Sequence, residues 1–128
     1  MDVPQYTPIL PDKGEPIFDK DEFVRRNLGD LELSRDVAAV FVQHGPEYLR
    51  EINDAFASGD CEALCQSAHK LKGAAANLAL MQLKISAASI EAAAKTKSVE
   101  LTVGLVTELN HVYNQAVHAI ESFNLIRR

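Results

Sequence analysis

The stretch Ala68-His69-Lys70-Leu71-Lys72-Gly73-Ala74-Ala75-Ala76-Asn77-Leu78 places one histidine between lysines and ahead of residues with almost no side chain. Leu64, Ala68, Leu71, Ala75 and Leu78 recur at intervals of four and three, the period of a helix with one buried face. At 3.6 residues per turn, His69 lies about 100° from Ala68 and about 160° from Leu71, so the imidazole points away from that face. Cys65, Gln66, Lys72, Gly73 and Ala76 share its side of the helix. A glycine in a helix costs about 0.5–1 kcal/mol relative to alanine. Close approach of another surface to Gly73 is a reason to keep it.

Working outward, Asp60 can cap this helix, and Glu62 in its first turn complements the positive end of the helix dipole. Beyond a tight turn near Ala79, Leu80, Leu83, Ala87, Ile90 and Ala94 form a second stripe that ends among Lys95 and Lys97. The alanines between 87 and 94 let that helix pack closely. Ser98 can cap a last helix, with Thr102, Leu105, Leu109, Val112, Ala116 and Ile120 facing inward.

Upstream, Asp30 caps a helix whose apolar positions are Leu33, Val37, Val40, Phe41, Tyr48, Ile52 and Phe56, running to Ser58-Gly59. Gly45-Pro46 falls in its middle; the stripe resumes in phase afterwards, which predicts a kink rather than a break. A short helix precedes it and stops at Gly29. Asp19 is its N-cap, Glu22 the capping-box partner, and Phe18 and Phe23 a hydrophobic staple. Pro4, Pro8, Pro11 and Pro16 exclude regular structure from residues 1–17, an extended tail ahead of a domain over 18–128. No alternating strand pattern occurs. The expected fold is all-α: an antiparallel four-helix bundle, up-down-up-down, with an additional short N-terminal helix.

A chain of 128 residues, 47% of them hydrophobic, suits a single core and leaves no room for a kinase domain. Cys61 and Cys65 match no disulfide framework, and no apolar run is long enough for a signal core or a membrane span. These features predict a soluble cytoplasmic protein with no membrane association, and the length of the chain and the expected exposure of His69 favour a monomer. A net charge of −5 and a pI near 5.3 argue against nucleic-acid binding, which uses clustered Lys and Arg. Lys70 and Lys72 are a local positive exception beside His69.

The run His69-Lys70-Leu71-Lys72-Gly73-Ala74 resembles the phosphorylation site of histidine-containing phosphotransfer (HPt) domains, His-x-Leu/Ile-Lys-Gly-Ser/Ala followed by small residues. Weaker similarity spans roughly residues 18 to 122, through Phe18 and Phe23, the run around Phe41 and Pro46, and Ile90-Glu91. The resemblance implies that His69 carries a phosphoryl group, that Lys72 lies beside it, and that Gly73 admits a partner. Where the family often has glycine at the end of the helix, this chain has Ala79. Alanine in a left-handed cap costs roughly 1–2 kcal/mol, which predicts a differently built turn.

A neutral imidazole is nucleophilic near neutral pH, so an exposed histidine accepts a phosphoryl group without an adjacent base. Transfer then depends on in-line positioning and on neutralising the phosphoryl oxygens. The chain offers no metal cage beside His69, so it binds no cofactor on this reading; the resemblance assigns magnesium and the aspartate to response-regulator receiver domains. The implied partners are such receivers or a hybrid histidine kinase. Lys72 supplies phosphoryl charge stabilisation, while Gln66, Lys70, Gly73 and Ala76 form the docking seat. There is no Walker-type loop, which makes the chain a carrier rather than an enzyme. Dimerising kinase segments place an acidic residue after the histidine, where Lys70 stands.

Two other readings compete. A helical interaction module would use the small-residue face around Gly73 with His69 only as a contact. A zinc bundle would use Cys61, Cys65 and His69, but that row spans about 12 Å at 1.5 Å per residue, too far for one ion with ligands at about 2.0–2.3 Å. The cysteines are expected to pack at a helix flank, His44 to be a partly buried packing residue, and Tyr48, Tyr113 and the phenylalanines to be core.

Overall fold

The computed structural model describes residues 16–125. Five helices follow one another: α1 (Lys20–Arg26), α2 (Leu31–Ser58), α3 (Cys61–Asn77), α4 (Met81–Lys95) and α5 (Val99–Leu125). Among the described residues there is no strand. Helices α2 to α5 form the expected bundle, with α3 packed between α2 and α4, and α5 closing the ring against α4 and α2. The expected tail over 1–17 lies outside the described residues except for Pro16 and the half-buried Ile17.

Caps fix where the helices begin. Asp30 accepts the Leu33 N–H at 3.0 Å and Asp60 the Ala63 N–H at 3.0 Å. Gly59 closes α2 with a φ of 71°, a left-handed conformation that suits glycine. At α1, Asp19 accepts from the Glu22 N–H at 3.2 Å, and the Phe18 and Phe23 rings lie 5.5 Å apart. The reciprocal half of the capping box is not made. Glu22 turns to Arg25 and Arg26, while the Asp19 N–H donates to the Ala79 carbonyl at 3.0 Å and ties α1 to the α3–α4 turn.

That turn corrects another expectation. Ala79 does adopt the left-handed conformation, at φ 56°. The Leu80 N–H donates to the Ala75 carbonyl at 2.9 Å across it. The Ala79 methyl, 1% exposed, is buried between Leu78 and Leu80, and this burial offsets the backbone cost that a solvent-exposed alanine would carry uncompensated.

The expected stripes of α3, α4 and α5 are buried throughout. Helix α2 is rotated from the expected phase. Ser34, Ala38, Phe41, Gly45, Ile52 and Ala55 face inward, whereas Leu33 and Val40 are 39% and 52% exposed. Two apolar rows run along α2, and only one can face the bundle. Helix α2 also continues unbroken through Pro46, which stands on the exposed side, where water can satisfy the carbonyl that proline leaves unbonded. Phe41 and Tyr113 are buried as expected, while Tyr48 and Phe56 are half-buried against the core.

Candidate functional site

His69 sits midway along α3 with its side chain 67% exposed, one residue after the fully buried Ala68. Its Nδ1 lies 2.9 Å from Oε2 of Glu91 on α4. The other carboxylate oxygen, Oε1, is 2.7 Å from Nζ of Lys72. One carboxylate therefore binds both the imidazole and the lysine one turn further along α3.

Glu91 is only 8% exposed. Burial pushes its carboxyl up, but the hydrogen bonds from Lys72 and His69 outweigh that and hold it below the ordinary carboxylate value. An ionised carboxylate only accepts hydrogen bonds, so Nδ1 of a neutral His69 must carry the proton. The ring's lone pair is then on Nε2. The structure thus sets which nitrogen is nucleophilic as well as which histidine is exposed.

Sequence reasoning placed Glu91 in the chain only as part of an Ile90-Glu91 similarity and gave it no role. The available signal was an acidic residue directly beside the buried Ile90 on an alanine-rich helix. Such residues are rarely buried without a partner.

The other sequence-predicted residues divide by what they touch. Gly73 is exposed, and an added Cβ would meet no atom within 4 Å, so no neighbouring helix of the bundle requires glycine there. Gln66 is exposed and Ala76 half-buried on the same side of α3. Lys70 points across to α2, with its Nζ 2.8 Å from Oε1 of Glu51, whose hydrogen bond and charge raise the lysine's pKa. The Ala76 carbonyl accepts a hydrogen bond from Arg26 at 2.7 Å, bringing α1 to the lower edge of the face.

Beside His69, an open groove of about 570 Å³ runs between α2 and α3, with Val37, Phe41, Tyr48, Gly73 and Leu78 among its lining residues. His44 also lines it and is exposed, which corrects its reading as a packing residue: it lies on the outward apolar row of α2, not the inward one. Cys61 and Cys65 are half-buried free thiols at the flank of α3. Among the described residues no group of three or more His, Cys, Asp or Glu side chains is placed to hold a metal ion.

No curated protein matches the chain significantly. Two solved structures share its fold. The histidine-containing phosphotransfer protein B (HptB) of Pseudomonas aeruginosa PAO1 superposes with a TM-score of 0.81 at 19% identity, covering 88% of this chain and 98% of the other. The HPT domain of an Hpt sensor hybrid histidine kinase from Shewanella superposes with a TM-score of 0.72 at 20% identity, covering 83% of this chain and 92% of the other. The family model for the Hpt domain matches residues 36–121, which include both His69 and the Glu91 that holds it. The chain belongs to the Hpt domain family, the histidine phosphotransfer domains of phosphorelays.

Proposed function

We propose that Nε2 of His69 accepts a phosphoryl group from the phosphoaspartate of a receiver domain and passes it to the aspartate of another. The observation that carries this reading is the contact between Nδ1 of His69 and Glu91, which leaves the opposite nitrogen unprotonated on an exposed side chain. In the forward step the Nε2 lone pair forms the N–P bond, the P–O bond to the aspartate breaks, and the aspartate leaves as a carboxylate. The ring becomes a phosphoimidazolium whose Nδ1–H remains bonded to Glu91. A second aspartate reverses these bond changes.

Lys72 lies one turn from His69 and is held by Glu91 in the unphosphorylated protein. Its ammonium is close enough to turn to the incoming phosphoryl oxygens and add a point charge there. Magnesium would come from the receiver. Gln66, Lys70, Gly73 and Ala76 form the seat around the reacting nitrogen. The chain acts as a carrier, with no ATP site of its own.

The test is transfer of label from phosphorylated receivers of the same organism. Acid-labile, alkali-stable label on this chain supports the relay. Binding of receivers without transfer would instead support the module that docks through the Gly73 face.

Glu91→Gln separates positioning from packing. Glutamine keeps an acceptor oxygen but loses the charge that holds both partners, so transfer should fall on the order of tenfold while the helical circular dichroism is retained. Because the native carboxyl is held below its ordinary value of 4.5, its stabilisation is complete above that pH and is lost as pH falls through the lowered value. The Tm difference between wild type and Glu91→Gln should therefore be present at pH 5 and shrink in stronger acid.

Gly73→Ala tests the seat. The methyl has open space, and alanine is the better helix former, so stability should rise by about 0.5–1 kcal/mol in urea unfolding. Transfer from a receiver should nevertheless slow, because the added methyl stands where the partner's backbone must approach. A stabilised variant with unchanged transfer would remove Gly73 from the docking seat.

A further inference from the structure

We propose that the acidic outer edge of α2 selects among receivers, favouring those that lay into the groove a helix whose apolar stripe is flanked by lysine or arginine. This rests on the reading of His69 as the phosphoryl acceptor and concerns which partners reach it.

The apolar floor contributed by α2 extends from Val37 to Tyr48, about 16 Å at 1.5 Å per residue, enough for roughly three turns of a partner helix. Val40, 52% exposed, marks its solvent border. Asp36, Glu47, Glu51 and Asp54 lie beyond that border, stepping 11, 4 and 3 residues along one side of the helix. Glu51 is engaged by Lys70, and Glu47 by Arg50 one turn on. Asp36 and Asp54 are exposed and form no ion pair among the described residues.

The opposite rim, on α3, carries His69 and Lys70, while Lys72 is turned away from the groove to Glu91 on α4. Lys70 reaches across to Glu51, so of these four carboxylates Asp36 and Asp54 are left without a cation, and the imidazole of His69 stands on the α3 side. An acidic phosphorylation centre brought to His69 occupies the α3 side of the face. The helix that fills the groove beside it then runs along the carboxylates, where basic flanking residues are attracted and acidic ones repelled. A second copy of this chain is the wrong occupant. Twofold pairing of α2 edges would oppose carboxylate rows, and the chain as a whole carries −5.

The experiment compares transfer rates from a panel of phosphorylated receiver domains of the same organism to wild type and to Asp36→Lys/Glu47→Lys, at low salt and at about 0.5 M salt. Asp36→Asn/Glu47→Gln serves as the neutral variant, and circular dichroism and Tm check the fold. The expected result is at least a tenfold loss for the reversal at low salt with receivers that are basic beside the docking stripe. The neutral variant should lose less, and the differences should collapse at high salt.

A reversal variant as fast as wild type at low salt would overturn the proposal, as would a loss indifferent to salt. Concentration-dependent dimerisation of the wild type through this face would also overturn it. If the wild type takes no label from any receiver, the relay reading itself fails, an outcome distinct from labelled wild type with charge-insensitive variants.

Discussion

Replacing His69 by glutamine should reduce acceptance of phosphoryl label from any receiver to background, a loss of at least three orders of magnitude, while Tm stays within about 2 °C of wild type. The amide retains polarity and can still face Glu91, but it has no nucleophilic nitrogen. The fold should not respond, because the side chain is 67% exposed and Glu91 keeps Lys72 as its partner when the imidazole is gone. Exposed substitutions of this kind usually change stability by no more than about 0.5 kcal/mol. Titration with a phosphorylated receiver, read by acid-labile label, and a thermal melt of the same preparation test both halves. Residual label on the variant would mean that another histidine, His44 in the groove being the nearest candidate in the same face, accepts the group.

The second large effect is on stability. Gly45 is buried on α2 where the Tyr113 ring of α5 crosses it, and a Cβ there would stand 1.9 Å from the Tyr113 hydroxyl oxygen and 2.8 Å from Cζ. Tyr113 is 6% exposed and its ring packs against Phe41 at 6.2 Å, so it has little freedom to withdraw. Gly45→Ala should therefore destabilise the bundle by about 2–3 kcal/mol despite alanine's better helix propensity. For a domain of this size that lowers Tm by roughly 10 °C. Tyr113→Phe in the same background should recover only part of the loss, because the ring carbon remains too close after the hydroxyl is removed. A Gly45→Ala variant as stable as wild type would show that α2 and α5 part easily at this crossing.

The contrast between Gly45 and Gly73 shows how much of the molecule could be read from the sequence. Both sit in strongly helical runs, and only the positions of neighbouring elements distinguish them. At Gly45 the obstacle is Tyr113, distant in sequence; at Gly73 an added Cβ would meet nothing within 4 Å. The stripes of α3, α4 and α5 were legible because each helix buries one apolar face and leaves the other polar. Helix α2 was legible only in part. Phe41 and Ile52 are buried and Val37, Tyr48 and Phe56 pack against the core, but Leu33 and Val40, which repeat with the same period, are exposed. Hydrophobic periodicity alone does not say which row the bundle covers. The exposed row borders the groove beside His69, so the error in phase fell at the candidate site.

His69 itself, its exposure and its small-residue surroundings could be read directly from the spacing within α3. Glu91 could not, because the contact joins two helices across 22 residues of sequence and depends on how closely α3 and α4 pack. The left-handed Ala79 escaped for a similar reason. Its intrinsic backbone cost is visible in the sequence, while the burial of its methyl is a property of the folded turn.

The most direct test of the account is the position of the phosphoryl group after transfer from a receiver. Wild-type protein with 15N-labelled histidine, phosphorylated by a receiver and observed by 15N and 31P NMR, should show phosphorus coupled to Nε2 of His69 with the Nδ1 proton retained. Phosphorus on Nδ1, or on any other residue, would contradict it.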